Sequence, residues 1–167
     1  MGYCENGLSS EKVMSCFYNM LLKGVSPDAF SIASTLKCCI DSRFKRFGQQ
    51  LHMLVFQFGY ENDKIIANTL VEMYGKYGLL ADARQTFEKL LVRDVISWTT
   101  LLTGYLECGN SKDTVACFDC ALHDGVNLND VAYICGLKAC SSIQALTKGK
   151  EIHSYVVKKG MERETSV

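Results

Sequence analysis

The sequence predicts an all-α fold, an α-solenoid of stacked helix-turn-helix repeats, and three observations carry that prediction. Shifting the chain against itself by 31 residues superposes Leu70 on Leu101, Tyr74 on Tyr105, Gly78 on Gly109 and Phe87 on Phe118. A shift of 101 superposes Leu36, Gly48, His52, Val55 and Gly59 on Leu137, Gly149, His153, Val156 and Gly160. Within one period, Trp98, Leu101, Leu102, Tyr105 and Leu106 fall at i, i+3, i+4, i+7 and i+8, the apolar stripe of an amphipathic helix. Units this short cannot bury a core alone and are stabilised by stacking on their neighbours.

The units follow in order. Residues 1–28 read as a partial repeat. Gly2-Tyr3 and Gly7 stand where Gly104-Tyr105 and Gly109 stand, and Cys16-Phe17 and Gly24-Val25 stand where Cys117-Phe118 and Gly125-Val126 do, with one residue added in the turn after Gly7. The first helix of this unit is expected to begin before Met1, as at the edge of a fragment. Residues 29–63 pair with 130–164 at the 101-residue distance, which sets these two units apart from those between them. In 64–94 a helix through Leu70 and Tyr74 precedes a second stripe of Ala83, Phe87, Leu90 and Leu91. In 95–129 the break at Gly109-Asn110-Ser111 precedes the matching stripe Thr114, Phe118, Ala121 and Leu122, closed by Gly125 where a helix end favours glycine. Residues 165–167 begin a further repeat. The single proline, Pro27, falls between units, so the helices run without a proline break.

Composition sets limits on function. An apolar share of 48% over 167 residues supplies a core. Lys plus Arg equals Asp plus Glu at 18 each, so no basic field advertises a nucleic-acid partner. No stretch approaches the roughly 18 apolar residues of a membrane span, and no membrane partner is expected. Nine cysteines without a secretory signal read as reduced thiols. Cys117-x-x-Cys120 invites a metal, but the matching unit has Cys16 and Asn19 there, and no second ligand pair stands at a workable spacing. No metal or cofactor is expected. His52 and His153 sit at equivalent places in units separated by two others, which assigns them to packing or capping rather than to a shared site. No Ser-His-Asp set or phosphate loop is present, so the chain reads as no enzyme, with no small-molecule substrate.

The runs Ala67-Asn68-Thr69-Leu70-Val71-Glu72-Met73-Tyr74-Gly75-Lys76-Tyr77-Gly78, Arg93-Asp94-Val95-Ile96-Ser97-Trp98 and Gly24-Val25-Ser26-Pro27-Asp28 resemble the pentatricopeptide repeat family of land plants. The resemblance is to its subclass that alternates P, L and S units, and His52 and His153 with their downstream glycines are similar to the L-type signature. In that register the chain holds a P-type remnant at 1–28, L at 29–63, S at 64–94, P at 95–129 and L at 130–164. The resemblance implies a right-handed superhelix that binds single-stranded RNA sequence-specifically, one base per repeat. It implies base reading by the fifth and last residues of each unit, hence Asn68 with Asp94 for uracil and Thr99 with Asn129 for adenine. In the L units Ala33 with Asp63 and Ile134 with Glu164 are weaker readers, because an apolar side chain offers a base edge no donor or acceptor. The second residues Phe30, Ile65, Ile96 and Val131 are implied to stack on the bases, against the alternative that they pack helix starts together.

The resemblance also implies a part of a plant organelle RNA-editing or RNA-processing factor, in mitochondrion or chloroplast, with editing or processing proteins as further partners and no DNA. A zinc deaminase would show His-x-Glu, whereas Leu54, Gly125 and Tyr155 follow His52, His123 and His153 two residues on. No transit peptide is visible ahead of the repeats. Two alternatives stand beside this reading: a protein-binding helical-repeat scaffold, and a truncated gene product without function of its own.

Overall fold

A computed structural model of the chain describes residues 7–158 and Gly160, and among these it contains nine helices and no strand. They are α1 (Gly7–Leu22), α2 (Ala29–Ser42), α3 (Lys45–Gln57), α4 (Lys64–Lys76), α5 (Leu80–Glu88), α6 (Val95–Glu107), α7 (Ser111–His123), α8 (Asp130–Ser142) and α9 (Leu146–Lys158). The chain divides into two compact units, Met1–Leu91 with α1 to α5 and Val92–Val167 with α6 to α9. In the first, α2 packs on α1, α3 and α4, and α4 packs on α5. In the second, α6 packs on α7 and α8, and α8 packs on α7 and α9. First helices of successive hairpins thus lie side by side in each unit, each backed by its own second helix.

The stripes read from the sequence are the buried faces. Trp98, Leu101, Leu102 and Tyr105 of α6 are buried, as are Thr114, Phe118 and Ala121 of α7. Phe118 meets Tyr133 of α8 edge to face, with ring centroids 5.6 Å apart. Phe87 and Phe118, matched in sequence, are both fully buried. Burying such a side chain is worth about 1.5–3 kcal/mol, the main term holding one hairpin to another.

Two local expectations need correction. α5 stops at Glu88, so Leu90 and Leu91 lie past the helix, Leu90 buried and Leu91 exposed. The 31-residue unit reaches the start of α6 at Val95 sooner than a 35-residue unit would, and the chain leaves its helix early to do so. In the partial repeat, α1 already begins at Gly7, where the match with Gly109 placed a turn. No proline interrupts the stretch from Gly7 to Leu22. The expected remnant of an earlier helix at Gly2-Tyr3 lies outside the described residues.

Helix ends separate the unit types. α4 and α6 run into Gly78 (φ +71°) and Gly109 (φ +73°), whereas the αL position after α2 and in the turn after α8 is held by Arg43 and Gln144, both at φ 56°. A non-glycine residue in the left-handed region carries a penalty of about 1 kcal/mol. Arg43 N–H reaches the carbonyls of Cys39 and Ile40, which ties the turn down despite that penalty.

Candidate functional site

Each first helix from α2 on is preceded by an Asp or Asn: Asp28, Asp63, Asp94 and Asn129. In every case a side-chain oxygen accepts the backbone N–H three residues on, from Ser31 at 2.8 Å, Ile66 at 2.9 Å, Ser97 at 3.0 Å and Ala132 at 3.0 Å. These are N-caps, which satisfy donors that a helix start leaves unpaired. The Ser31 N–H holds the Asp28 carboxyl below its usual range. The last residue of one unit is therefore also the cap of the next. The sequence reading assigned no such role to Asp63, Asp94 and Asn129, although an Asp or Asn directly before an apolar helix is a start signal.

One residue into these helices, Phe30, Ile65, Ile96 and Val131 keep 79%, 70%, 58% and 48% of their surface exposed. Three residues further on and on the same helix face stand Ala33, Asn68, Thr99 and Ile134. Ala33 is buried, Ile134 is exposed, and Asn68 and Thr99 are half-buried. Oδ1 of Asn68 is buried without a hydrogen-bond partner among the described residues. An acceptor left in that state costs about 1–3 kcal/mol.

The geometry is most complete around Thr99 and Asn129. Thr99 Oγ donates to the Val95 carbonyl at 2.6 Å and lies 3.1 Å from Asn129 Oδ1. Asn129 Oδ1 also accepts from Ala132 N–H. Only the oxygen of an amide can accept, so this fixes the orientation of the side chain and turns its Nδ2 donors away from the cap. A hydroxyl and an oriented amide thus lie one turn from an exposed isoleucine, a combination suited to a flat ring with a hydrogen-bonding edge. Asp94 Oδ1 accepts from Ser97 at two points, the N–H at 3.0 Å and the hydroxyl at 2.9 Å. Asp63 is held by Ile66 N–H. Glu164 lies outside the described residues.

The remaining candidates sort by burial. His52 is half-buried on α3, with Nδ1 2.6 Å from the Tyr74 hydroxyl of α4 and its ring 5.7 Å from Phe56. Burial, followed by the nearby Lys89 charge, pushes the His52 pKa down, and burial pushes the Tyr74 phenol up to about 12. The phenol and the imidazole share one hydrogen bond at Nδ1. This is packing, whereas His153 is exposed. Cys117 is buried and Cys120 exposed on α7. Among the described residues no group of three His, Cys, Asp or Glu is placed to hold a metal ion, and no helix is long and apolar enough to cross a membrane. A cavity of about 210 Å³ lined by His52, Phe56, Tyr60, Ile66 and Lys89 is mostly apolar.

The sequence matches the family described as PPR repeat over residues 65–95 and 96–126. Among curated proteins it is 35% identical over 166 residues to Arabidopsis thaliana "Pentatricopeptide repeat-containing protein At2g33680", covering 99% of this chain and 23% of that protein. It is 33% identical to the Arabidopsis thaliana proteins named "At3g09040, mitochondrial" and "At5g13270, chloroplastic", over 98% and 99% of this chain and 16% and 22% of theirs. The chain thus spans less than a quarter of the length of these relatives. Among solved structures, PPR10 from maize superposes with a TM-score of 0.76 at 22% identity, over 88% of this chain and 22% of that one. PPR10 in complex with an 18-nt psaJ RNA element gives 0.75 at 21%, over 89% and 22%.

Proposed function

We propose that the chain, whose residues 65–126 match PPR repeats and whose hairpins superpose on those of PPR10, binds single-stranded RNA, one base per repeat, as part of a longer reader. The observation that carries the reading is the row of exposed apolar side chains, Phe30, Ile65, Ile96 and Val131, at the second place of four successive units. Exposed apolar groups recurring at one place in a repeat are suited to stacking on base faces. A polar pair to read the base edge stands at Asn129 with Thr99, and the unmet acceptor of Asn68 is suited to the same role. The L units contribute less, since Ala33 and Ile134 offer a base no hydrogen bond.

The units alternate as P, L, S, P and L, and the parent protein works in a chloroplast or mitochondrion, where relatives are named as resident. There it takes part in RNA editing or processing together with other proteins. These repeats bind rather than catalyse. With 18 positive and 18 negative side chains, affinity rests on stacking and edge contacts more than on phosphate attraction.

The test is Asn129→Asp, made with Lys64 to Glu164 grafted into a longer repeat array of defined specificity. Asp caps a helix as well as Asn does, so stability is conserved. An Asn offers a donor to the adenine ring nitrogen, whereas an Asp only accepts and suits the N–H groups of guanine. The ratio of affinities for RNAs differing at that one base shifts from adenine to guanine by about tenfold, the order of one hydrogen bond. An unchanged ratio means that Asn129 is a cap and nothing more.

A further inference from the structure

We propose that the open face of α8 and α9 is a docking socket for one kind of partner, the first helix of a further hairpin that presents a methionine and two tyrosines spaced as Met73, Tyr74 and Tyr77 are at the end of α4. A cavity of about 650 Å³ opens on this face, lined in part by Leu137 and Cys140 of α8 and Gly149 and His153 of α9. These residues stand 101 places after Leu36, Cys39, Gly48 and His52. On α2 and α3 the same surface is already covered. A Cβ on Gly48 would collide with the Met73 sulfur and lie 3.5 Å from the Tyr77 ring. The Tyr77 hydroxyl donates to the Cys39 carbonyl at 2.7 Å, and the Tyr74 hydroxyl lies 2.6 Å from His52 Nδ1.

The two surfaces differ in burial as a filled and an open socket would. Leu36 is fully buried and Leu137 half-buried, and Gly48 is buried where Gly149 is half-buried. The Cys140 carbonyl takes the Ala145 N–H at 2.9 Å, as the Cys39 carbonyl takes that of Phe44 at 3.1 Å, but the tyrosine donor is present only at Cys39 among the described residues. Glycine inside a helix weakens it relative to alanine. In α9 no described group uses the space so gained, since a Cβ on Gly149 would meet only Cys140 Cβ at 3.7 Å. What fills the equivalent space in this chain is a methionine from the first helix of the next hairpin, and that names the occupant. A relative of which the chain covers 23% has the length for further hairpins.

The test fuses a second copy of residues 63–94 after Arg163 of the full chain, in place of 164–167, which sets the copied Asp63 cap and α4 at the 101-residue distance from the originals. Gly149→Ala raises the thermal midpoint of the unextended chain by about 1–2 °C through helix propensity. In the extended chain the same change lowers it by about 5 °C, because the added Cβ overpacks the copied methionine. With that methionine replaced by alanine, Gly149→Ala no longer lowers the midpoint, since the two changes couple only where the side chains meet. If the extended Gly149→Ala protein does not fold, Tyr77→Phe in the copy carries the test by removing the donor to the Cys140 carbonyl, with a fall of about 3 °C. An effect of Gly149→Ala with the same sign in both chains, or no effect of Tyr77→Phe, overturns the proposal. So does a dimer of the unextended chain that Gly149→Ala abolishes, which would give the socket to a second copy. None of these readouts involves RNA, so the RNA-binding reading stands or falls apart from them.

Discussion

Residues 29–63 and 130–164 share a sequence signature 101 residues apart, yet its glycine and histidine meet different surroundings. A Cβ on Gly48 in α3 would collide with the sulfur of Met73, a fully buried side chain of α4 in the following hairpin. A Cβ on Gly149 in α9 would meet only Cys140 Cβ among the described residues, at 3.7 Å, and no described hairpin follows α9. His52 bonds to Tyr74 of α4, whereas His153 is exposed. The shared residues of 29–63 therefore serve a contact made forward along the chain. What they stabilise is a junction between hairpins rather than the hairpin that contains them.

The largest expected effect tests that difference directly. Gly48→Ala overpacks the junction and destabilises the first unit by about 2 kcal/mol, since buried Met73 has no open space to enter. Gly149→Ala has ordinary contact distance and gains about 0.5 kcal/mol from better helix propensity. Chemical denaturation of the two variants reads both, and equal losses would break the comparison.

A smaller effect concerns the histidines. Tyr74→Phe removes the hydroxyl bonded to His52 and costs about 1 kcal/mol by the same assay. The folded His52 pKa lies below 6.5, mainly through burial. As pH falls past 6.5 the unfolded chain takes up a proton before the folded one does, so stability drops until the folded pKa is passed. His52→Gln flattens that slope, and a slope that persists unaltered would show that His52 does not cause it.

The smallest effect looks for sameness. Arg43→Gly and Gln144→Gly relieve the same left-handed backbone strain and stabilise by about 0.5–1 kcal/mol each, measured by thermal melting. Gains that differ between the two turns would mean that packing, not backbone strain, governs them.

Much of the candidate site could be read without coordinates. Phe30, Ile65, Ile96 and Val131 hold the same place in four units, and the 31-residue match fixes the register in which Asn68 and Thr99 recur. The caps are equally legible, since each Asp or Asn stands directly before its helix. The Thr99 to Asn129 contact spans 30 residues of sequence, and no local pattern announces its distance or the orientation of the amide.

The sequence alone determined the helices, their stripes, their caps and their turns, because these depend on neighbours within one or two turns of chain and so repeat wherever the pattern repeats. Tertiary structure alone decided that Gly48 admits Met73, that the Asn68 acceptor is buried and unmet, and that Ile65 and Ile96 stay exposed. Burial is set by what a neighbouring hairpin brings to the surface, which no pattern within one hairpin records.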